Sequence, residues 1–159
     1  VKYSASTFGD FRCAHCHNLV SAAHFLSGVN NRNHCPYCLW SFHLDLFAAG
    51  DRLSACKGQM KPIGLTMKKS RNKYRLDVGG ELMLVHECVE CRSFSINRIA
   101  ADDVPESILE VFHESLLQSY QVRARCEQAD IRMLDSGDTG SVYAQLHGQY
   151  AEVSRSVWA

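Results

Sequence analysis

The sequence predicts an α+β protein: a small antiparallel, zinc-ribbon-like β module over residues 1–103, followed by a C-terminal helical hairpin over residues 104–159. Three observations lead there. Six of the eight cysteines stand in Cys-x-x-Cys pairs, the middle of the chain alternates apolar and polar residues, and beyond Asp102 the apolar residues recur at helical spacing. A chain of 159 residues is long enough for one domain, or for a small domain with an extension. Its 46% hydrophobic content is ordinary for a globular protein, and no apolar run approaches the roughly 20 residues that cross a bilayer. A soluble protein without a membrane partner is expected. The first residues, Val1-Lys2-Tyr3-Ser4, carry no apolar signal stretch, and removal of a leader before them stays open.

Up to about Leu46 the chain holds two knuckle-like turns, Cys13-Ala14-His15-Cys16 and Cys35-Pro36-Tyr37-Cys38. Polar, turn-rich stretches such as Ser27-Gly28-Val29-Asn30-Asn31-Arg32-Asn33 separate them, so this part reads as hairpins rather than helices. From Asp51 to Ala100 the pattern is that of a small antiparallel sheet. The runs Tyr74 to Val78 and Glu81 to His86 flank Gly79-Gly80, a pair suited to a two-residue hairpin turn that needs positive φ. Ile63 to Met67 adds a strand before this hairpin, and Ser93 to Ile99 one after it.

Beyond Asp102, Ile108, Leu109, Phe112, Leu116 and Tyr120 fall on one helical stripe. Asp103 and Glu106 match a capping box, with Pro105 in the first turn, where a missing N–H costs little. Ser136-Gly137-Asp138-Thr139-Gly140 breaks the chain, and a second helix carries Tyr143, Leu146, Tyr150, Val153 and Val157. The two helices are expected to pair antiparallel and bury their stripes.

Cysteine pairs this close suit tetrahedral thiolate ligation better than loop-stapling disulfides, which implies a reducing, cytoplasmic compartment. Cys13, Cys16, Cys35 and Cys38 form C-x2-C-x18-C-x2-C, a spacing expected of a structural four-thiolate zinc site. A second zinc is expected at Cys88 and Cys91 with Cys56, whose neighbour Gly58 lets backbone N–H groups approach the sulfur. The fourth ligand is His43 or His86. Asp45 could orient the ring of His43, which favours it, whereas His86, two residues before Cys88 on an extended strand, faces the same side. Cys126 stands alone and reads as a buried apolar side chain, and His15, His17, His24, His113 and His147 have no partners at ligand spacing.

The formal net charge of zero hides an asymmetry. Arg52, Lys57, Lys61, Lys68, Lys69, Arg71, Lys73 and Arg75 follow one another without an acid, while residues 101–159 hold ten acids against four arginines. Lys68 to Arg75, including Tyr74, places cations and one aromatic ring on a hairpin tip that could track phosphates and stack a base.

The run Arg32-Asn33-His34-Cys35-Pro36 continues through Cys38-Leu39-Trp40-Ser41, His43 and Asp45, then Gly50-Asp51-Arg52, Cys56, Gly58, Met60, Pro62 and Ile63. It ends with His86-Glu87-Cys88, Cys91, Asn97-Arg98-Ile99-Ala100 and Asp102-Asp103. Over about ninety residues, from Phe11 to Asp103, this resembles the bacterial RNHCP domain family. Arg92 stands where a glycine after the last knuckle cysteine is usual, and Phe42 stands in the Ser-x-His stretch. The resemblance implies a cysteine-rich metal-binding module and no particular activity. Arg32, Asn33, His34, Asp45, Asn97, Arg98, Asp102 and Asp103 within it are either a polar binding surface or turn-formers, helix caps and ion pairs.

Three functions compete. The first is a zinc-stabilised RNA binder, associated with the ribosome or another RNA–protein assembly, with Arg32 and Arg98 joining the basic run. The second is a scaffold that docks a protein partner through its acidic C-terminal helices, with Val157 and Trp158 ending the contact stripe. The third is an enzyme with His34 or His43 and Asp45 near a metal-bound water. The zinc-deaminase and H-E-x-x-H patterns are both absent, and with them the main sequence support for that reading.

Overall fold

A computed structural model describes residues 9–69 and 80–147. The expected strand Tyr74 to Val78, the residues Arg71, Lys73, Tyr74 and Arg75, and Tyr150, Val153, Val157 and Trp158 lie outside the described residues. Two-residue strands β1 (Phe11–Arg12) and β2 (Leu19–Val20) pair around the first knuckle, and the single helical turn α1 (His24–Ser27) leads on to the second. The strands β3 (Ser41–Phe42), β4 (Gln59–Lys68), β5 (Glu81–Cys88) and β6 (Phe94–Arg98) then form an antiparallel sheet in that order.

Tyr74–Val78, the expected hairpin partner of Glu81–His86, lies outside the described residues, and among the described ones the neighbours of β5 are β4 and β6. From Lys68↔Glu81 to Met60↔Cys88, β5 pairs along its length with β4, and its other edge is taken by β6 from Met83↔Arg98 to Glu87↔Phe94. Both hydrogen-bonding edges over Met83–Glu87 are therefore filled by other strands. Alternation identified β5 but not its partner, because period two specifies a face and not a neighbour. Between Pro62 and Gly64 the ladder shifts by one residue, which leaves Ile63 extra and bends β4. At Gly64 a Cβ would lie 2.4 Å from Cε of Met133 and 3.3 Å from Cβ of Ser115, so glycine leaves room for the Met133 side chain on the strand. There Leu134 N–H donates to the Leu65 carbonyl at 2.8 Å, and the Thr66 hydroxyl donates to that of Arg132 at 2.7 Å.

The helices are α2 (Pro105–Ser115), α3 (Tyr120–Gln128) and α4 (Thr139–His147), the last entered through a tight turn at Ser136–Asp138. The stripe expected to run unbroken through Tyr120 is cut after Ser115. The Ser119 hydroxyl accepts the Val122 N–H and starts a new helix, which leaves Tyr120 85% exposed. Pro105 occupies the first helical position as expected, but the Asp103–Glu106 capping box does not form. Val104 is the N-cap and makes no side-chain cap, because the Asp103 carboxylate is turned into the interior.

The faces of β5 explain its continuous burial. Leu82 and Leu84 join Leu39, Leu65, Ile108, Val111, Phe112, Leu134 and Val142 on the side of α2 and α4. Val85 joins Ile63, Cys126 and Met133 on the side of α3. Full burial of such a side chain contributes about 1.5–3 kcal/mol, so these clusters stabilise the sheet independently of any metal. They draw residues from both sides of the 103/104 boundary. Cys126 is fully buried and its thiol pKa is raised by that burial, in keeping with a packing role.

Candidate metal centres

Three Cys-x-x-Cys pairs adopt one turn. Each is the loop of a hairpin, closed by Arg12↔Leu19, His34↔Ser41 or Glu87↔Phe94. In each, the first cysteine's N–H donates to the carbonyl five residues on: Cys13 to Asn18 at 2.9 Å, Cys35 to Trp40 at 2.9 Å, Cys88 to Ser93 at 2.8 Å. The residue after the second cysteine donates back, His17 to Cys13 at 3.0 Å, Leu39 to Cys35 at 2.9 Å and Arg92 to Cys88 at 3.0 Å. Those returning residues are left-handed, with φ of 63° at His17, 62° at Leu39 and 65° at Arg92. A side chain there costs on the order of 1–3 kcal/mol, so the turn is retained against strain in all three copies. Arg92 shows how the missing glycine is accommodated. Its guanidinium lies 3.0 Å from the Glu87 carboxylate, and its carbonyl accepts from Arg125 of α3 at 3.0 Å.

The first two knuckles face each other. Cys13 Sγ lies 3.6 Å from Cys38 Sγ, and Cys16 Sγ lies 3.6 Å from Cys35 Sγ. All four sulfurs lie within 4.8 Å of one another. A tetrahedron with metal–sulfur bonds of about 2.3 Å has edges of about 3.8 Å, so the donor set fits a four-coordinate soft ion. All four cysteines are free thiols. The site is enclosed: Cys13 and Cys35 pack with Val20, Phe11 and the other two ligands, and the His15 ring stacks on Trp40 at 4.1 Å and 6° to join the two knuckles. The Asn18 amide donates to Cys16 Sγ at 3.3 Å. Hydrogen bonding, first from the Cys38 thiol and then from the N–H groups of Cys38 and Tyr37, lowers the Cys35 pKa to about 5. Burial raises the Cys13 thiol, and the proton shared with Cys35 raises Cys38.

The third knuckle meets two single ligands. His43, Cys56, Cys88 and Cys91 bring four donor atoms within 4.8 Å, with Cys56 and Cys88 sulfurs 3.6 Å apart and His43 Nδ1 3.3 Å from Cys91 Sγ. His43 follows β3 directly, and its N–H donates to the Gly58 carbonyl at 2.9 Å, which ties it to the Cys56 turn. At Gly58 a Cβ would stand 3.0 Å from Cys88 Sγ and 2.8 Å from Glu90 Cγ, so glycine keeps the cradle open. The Ser93 hydroxyl, 3.2 Å from Cys91 Sγ, is the main cause that lowers the Cys91 pKa to about 6, while burial raises Cys88.

His86, the alternative fourth ligand, is not in the tetrad. It is fully buried, with Nε2 donating to the Leu39 carbonyl at 2.7 Å and Nδ1 accepting from the Asn97 amide at 2.9 Å. Both ring nitrogens are used, the tautomer is set, and burial lowers the pKa to about 3. Asp45 is likewise not the orienter of His43. Its oxygens accept from Gly50 N–H at 2.8 Å, Arg52 N–H at 3.0 Å and the Asn33 amide at 3.2 Å, which shapes the loop before Cys56.

The polar residues of the resemblance form an interior clamp. Arg32, with its side chain 1% exposed, reaches Asp102 at 2.7 Å and Asp103 at 3.3 Å, and donates to the His34 carbonyl at 3.1 Å. His34 Nε2 lies 2.7 Å from Asp103, which also accepts the Ala100 N–H at 2.8 Å. Asn33 bonds to Arg52. The segment before Cys35 is thus bolted to the chain before α2. Arg32, expected as an RNA contact, is consumed inside this clamp, and so is His34, offered for catalysis.

Of the other expected RNA contacts, Lys57, Lys61, Lys68 and Lys69 are exposed. Lys57 donates to the Arg52 carbonyl at 3.1 Å, and Arg98 pairs with Glu81 at 2.8 Å. Sequence reasoning noticed Arg92 in the place of a glycine but missed the left-handed residues His17 and Leu39, the donor Asn18, and the Glu87–Arg125 pair at 2.9 Å that braces the third knuckle. Fixed offsets from the cysteines are the signal that flags the left-handed residues and Asn18, two residues after Cys16; the Glu87–Arg125 pair is long-range. The family model of the RNHCP domain matches residues 8–109. No curated protein and no solved structure gives a significant match.

Proposed function

The chain belongs to the RNHCP domain family, and we propose that it is a cytoplasmic protein with two structural zinc ions that presents a basic surface to RNA or to an RNA–protein assembly such as the ribosome. The observation that carries the zinc assignment is the convergence of two complete four-donor sets, one all sulfur and one of three sulfurs with an imidazole. Soft donors in closed tetrahedral sets suit zinc, and four protein ligands leave no open position for a reacting water. When bound, zinc supplies a rigid junction; Cys13, Cys16, Cys35 and Cys38 would hold one ion and His43, Cys56, Cys88 and Cys91 the other. Elemental analysis of the purified chain tests this, with two zinc ions per chain expected and none overturning it.

The RNA reading draws on the acid-free run from Arg52 to Arg75, of which Lys57, Lys61, Lys68 and Lys69 are exposed. It is narrower than the sequence alone suggests, since Arg32 is buried and Arg98 is paired. Affinity for single-stranded RNA should fall steeply with salt, and replacing Lys68, Lys69, Arg71 and Lys73 with alanine should flatten the log–log slope by about 3. Affinity indifferent to salt or to these substitutions ends the reading.

A second reading has its own observation. Leu117, 88% exposed, and Tyr120 stand at the break between α2 and α3 in the acid-rich part of the sequence, an apolar pair suited to a protein partner. Leu117→Ser with Tyr120→Ser should then release that partner with the zinc content unchanged. Removing everything after Asp103 would not test this cleanly, because Ile108, Phe112, Leu134 and Val142 belong to the core.

A further inference from the structure

We infer that the His43–Cys56–Cys88–Cys91 tetrad is an oxidation site for hydroperoxides, one that gives up its zinc while the Cys13–Cys16–Cys35–Cys38 tetrad keeps its own. This rests on the two-zinc reading.

The two tetrads differ in access. In the first, Cys13 and Cys35 are buried, Cys16 and Cys38 are half-buried, and the His15–Trp40 stack joins the knuckles. In the second, Cys56 and Cys91 are exposed and only Cys88 is buried. Its parts are also held differently. Cys88 and Cys91 share a knuckle, but Cys56 is a single ligand on a loop, with left-handed Lys57 (φ 52°) after it in place of a second cysteine. Charge alone would order the tetrads the other way. Four thiolates around a divalent ion keep more negative charge, and more nucleophilic sulfur, than three thiolates and an imidazole. A peroxide must first reach a sulfur, however, and access decides the order here.

The Cys56 thiolate attacks a peroxide oxygen; the O–O bond breaks, and the leaving alkoxide or hydroxide takes a proton from water. Cys56 is now a sulfenic acid. The Cys88 thiolate, 3.6 Å from Cys56 in the reduced structure, attacks that sulfur and expels hydroxide. The two sulfurs lose two electrons, which reduce the peroxide, and a Cys56–Cys88 disulfide results. His43 and Cys91 alone are too few to retain the ion. The sheet remains held by the clusters around Leu84 and Val85, so the change is confined to the loop that carries Cys56. A dithiol reductant with added zinc reverses the reaction.

The test uses the full zinc-loaded chain, hydrogen peroxide, a chromogenic chelator to follow release, and disulfide mapping by mass spectrometry. One equivalent of zinc should leave with a Cys56–Cys88 bond formed, and the second should follow at least about tenfold more slowly, with Cys13, Cys16, Cys35 and Cys38 still reduced. Cys56→His, which keeps four donors, should abolish the fast phase; the mapping on the unaltered chain does not depend on that variant folding. Release of both equivalents together, earlier oxidation of the first tetrad, or a first disulfide that excludes Cys56 overturns the inference. A chain that carries fewer than two zinc ions before peroxide is added fails the two-zinc reading instead.

Discussion

The two tetrads share a turn and differ in what surrounds it. Around Cys13, Cys16, Cys35 and Cys38, two knuckles face each other with Val20, Phe11 and the His15–Trp40 stack packed about the sulfurs, and Leu39 of the second knuckle joins them to the larger core. Around His43, Cys56, Cys88 and Cys91, one knuckle grows from the end of β5, the most buried strand, and meets a histidine and a cysteine from two further segments. The first module has little apolar material of its own and depends on its metal. The second is rooted in the sheet and risks less when its metal leaves. Ligand type alone therefore does not rank the importance of two metal sites; the apolar area that survives without the metal does.

Several experiments set the two tetrads against each other. The largest effect should come from a strong chelator, since structural zinc contributes on the order of 10 kcal/mol to folding. Amide exchange should then collapse first over residues 9–31, ahead of the Arg32–Asp103 clamp, while β4 and β5 stay protected, and uniform loss along the chain would contradict the division. Next, Cys35→Ser should cost about 5 kcal/mol or more and abolish one equivalent of zinc, whereas Cys91→Ser should remove the other at visibly smaller cost in denaturant unfolding. Equal costs would put both sites on the same footing.

Asp103→Ala takes the carboxylate from His34 and the longer of the two ion pairs from Arg32, which keeps Asp102, a loss on the order of 1–3 kcal/mol. Because these residues immediately precede Cys35, zinc affinity should drop at the first tetrad and not at the second. Acidity is a gentler probe. In the metal-free chain Cys13, Cys38 and Cys88 have raised pKa values, so their thiols are protonated near neutral pH and must lose those protons to ligate. The loaded state binds fewer protons, so affinity falls as pH falls, by about 1.4 kcal/mol per pH unit for each proton released. Calorimetry in buffers of different ionisation enthalpy should find that release, and zinc binding without it would contradict the assignment. The smallest effect belongs to Gly58→Ala, which crowds Cys88 Sγ and Glu90; about 1 kcal/mol of affinity should be lost at the second tetrad alone.

Much of the site was legible because a Cys-x-x-Cys knuckle is local. Two sulfurs three residues apart converge whatever the rest of the chain does, and a C-x2-C-x18-C-x2-C spacing leaves little choice of partners for Cys13 and Cys16. Cys56 was found from its neighbouring glycine. The helix start at Pro105 was readable from first-turn chemistry, but its cap was not, because Asp103 suits a cap as well as it suits Arg32 and His34. The stripe through Tyr120 overran because Ser119 offered a competing N-cap, a local preference that outweighs periodicity at a helix end.

By itself the amino-acid sequence determined the three knuckles, the four ligands of the first tetrad, three ligands of the second, the strands β4, β5 and β6, and the existence of C-terminal helices. Tertiary structure alone decided that His43 completes the second tetrad while His86 bonds to Leu39 and Asn97. It also decided that β5 pairs with β4, and that Arg32 points inward to Asp102 and Asp103. The division follows from range. Turn geometry and side-chain period act within a few residues, whereas a histidine or an arginine suits several environments equally until the remote partner, dozens of residues away in the chain, is brought beside it.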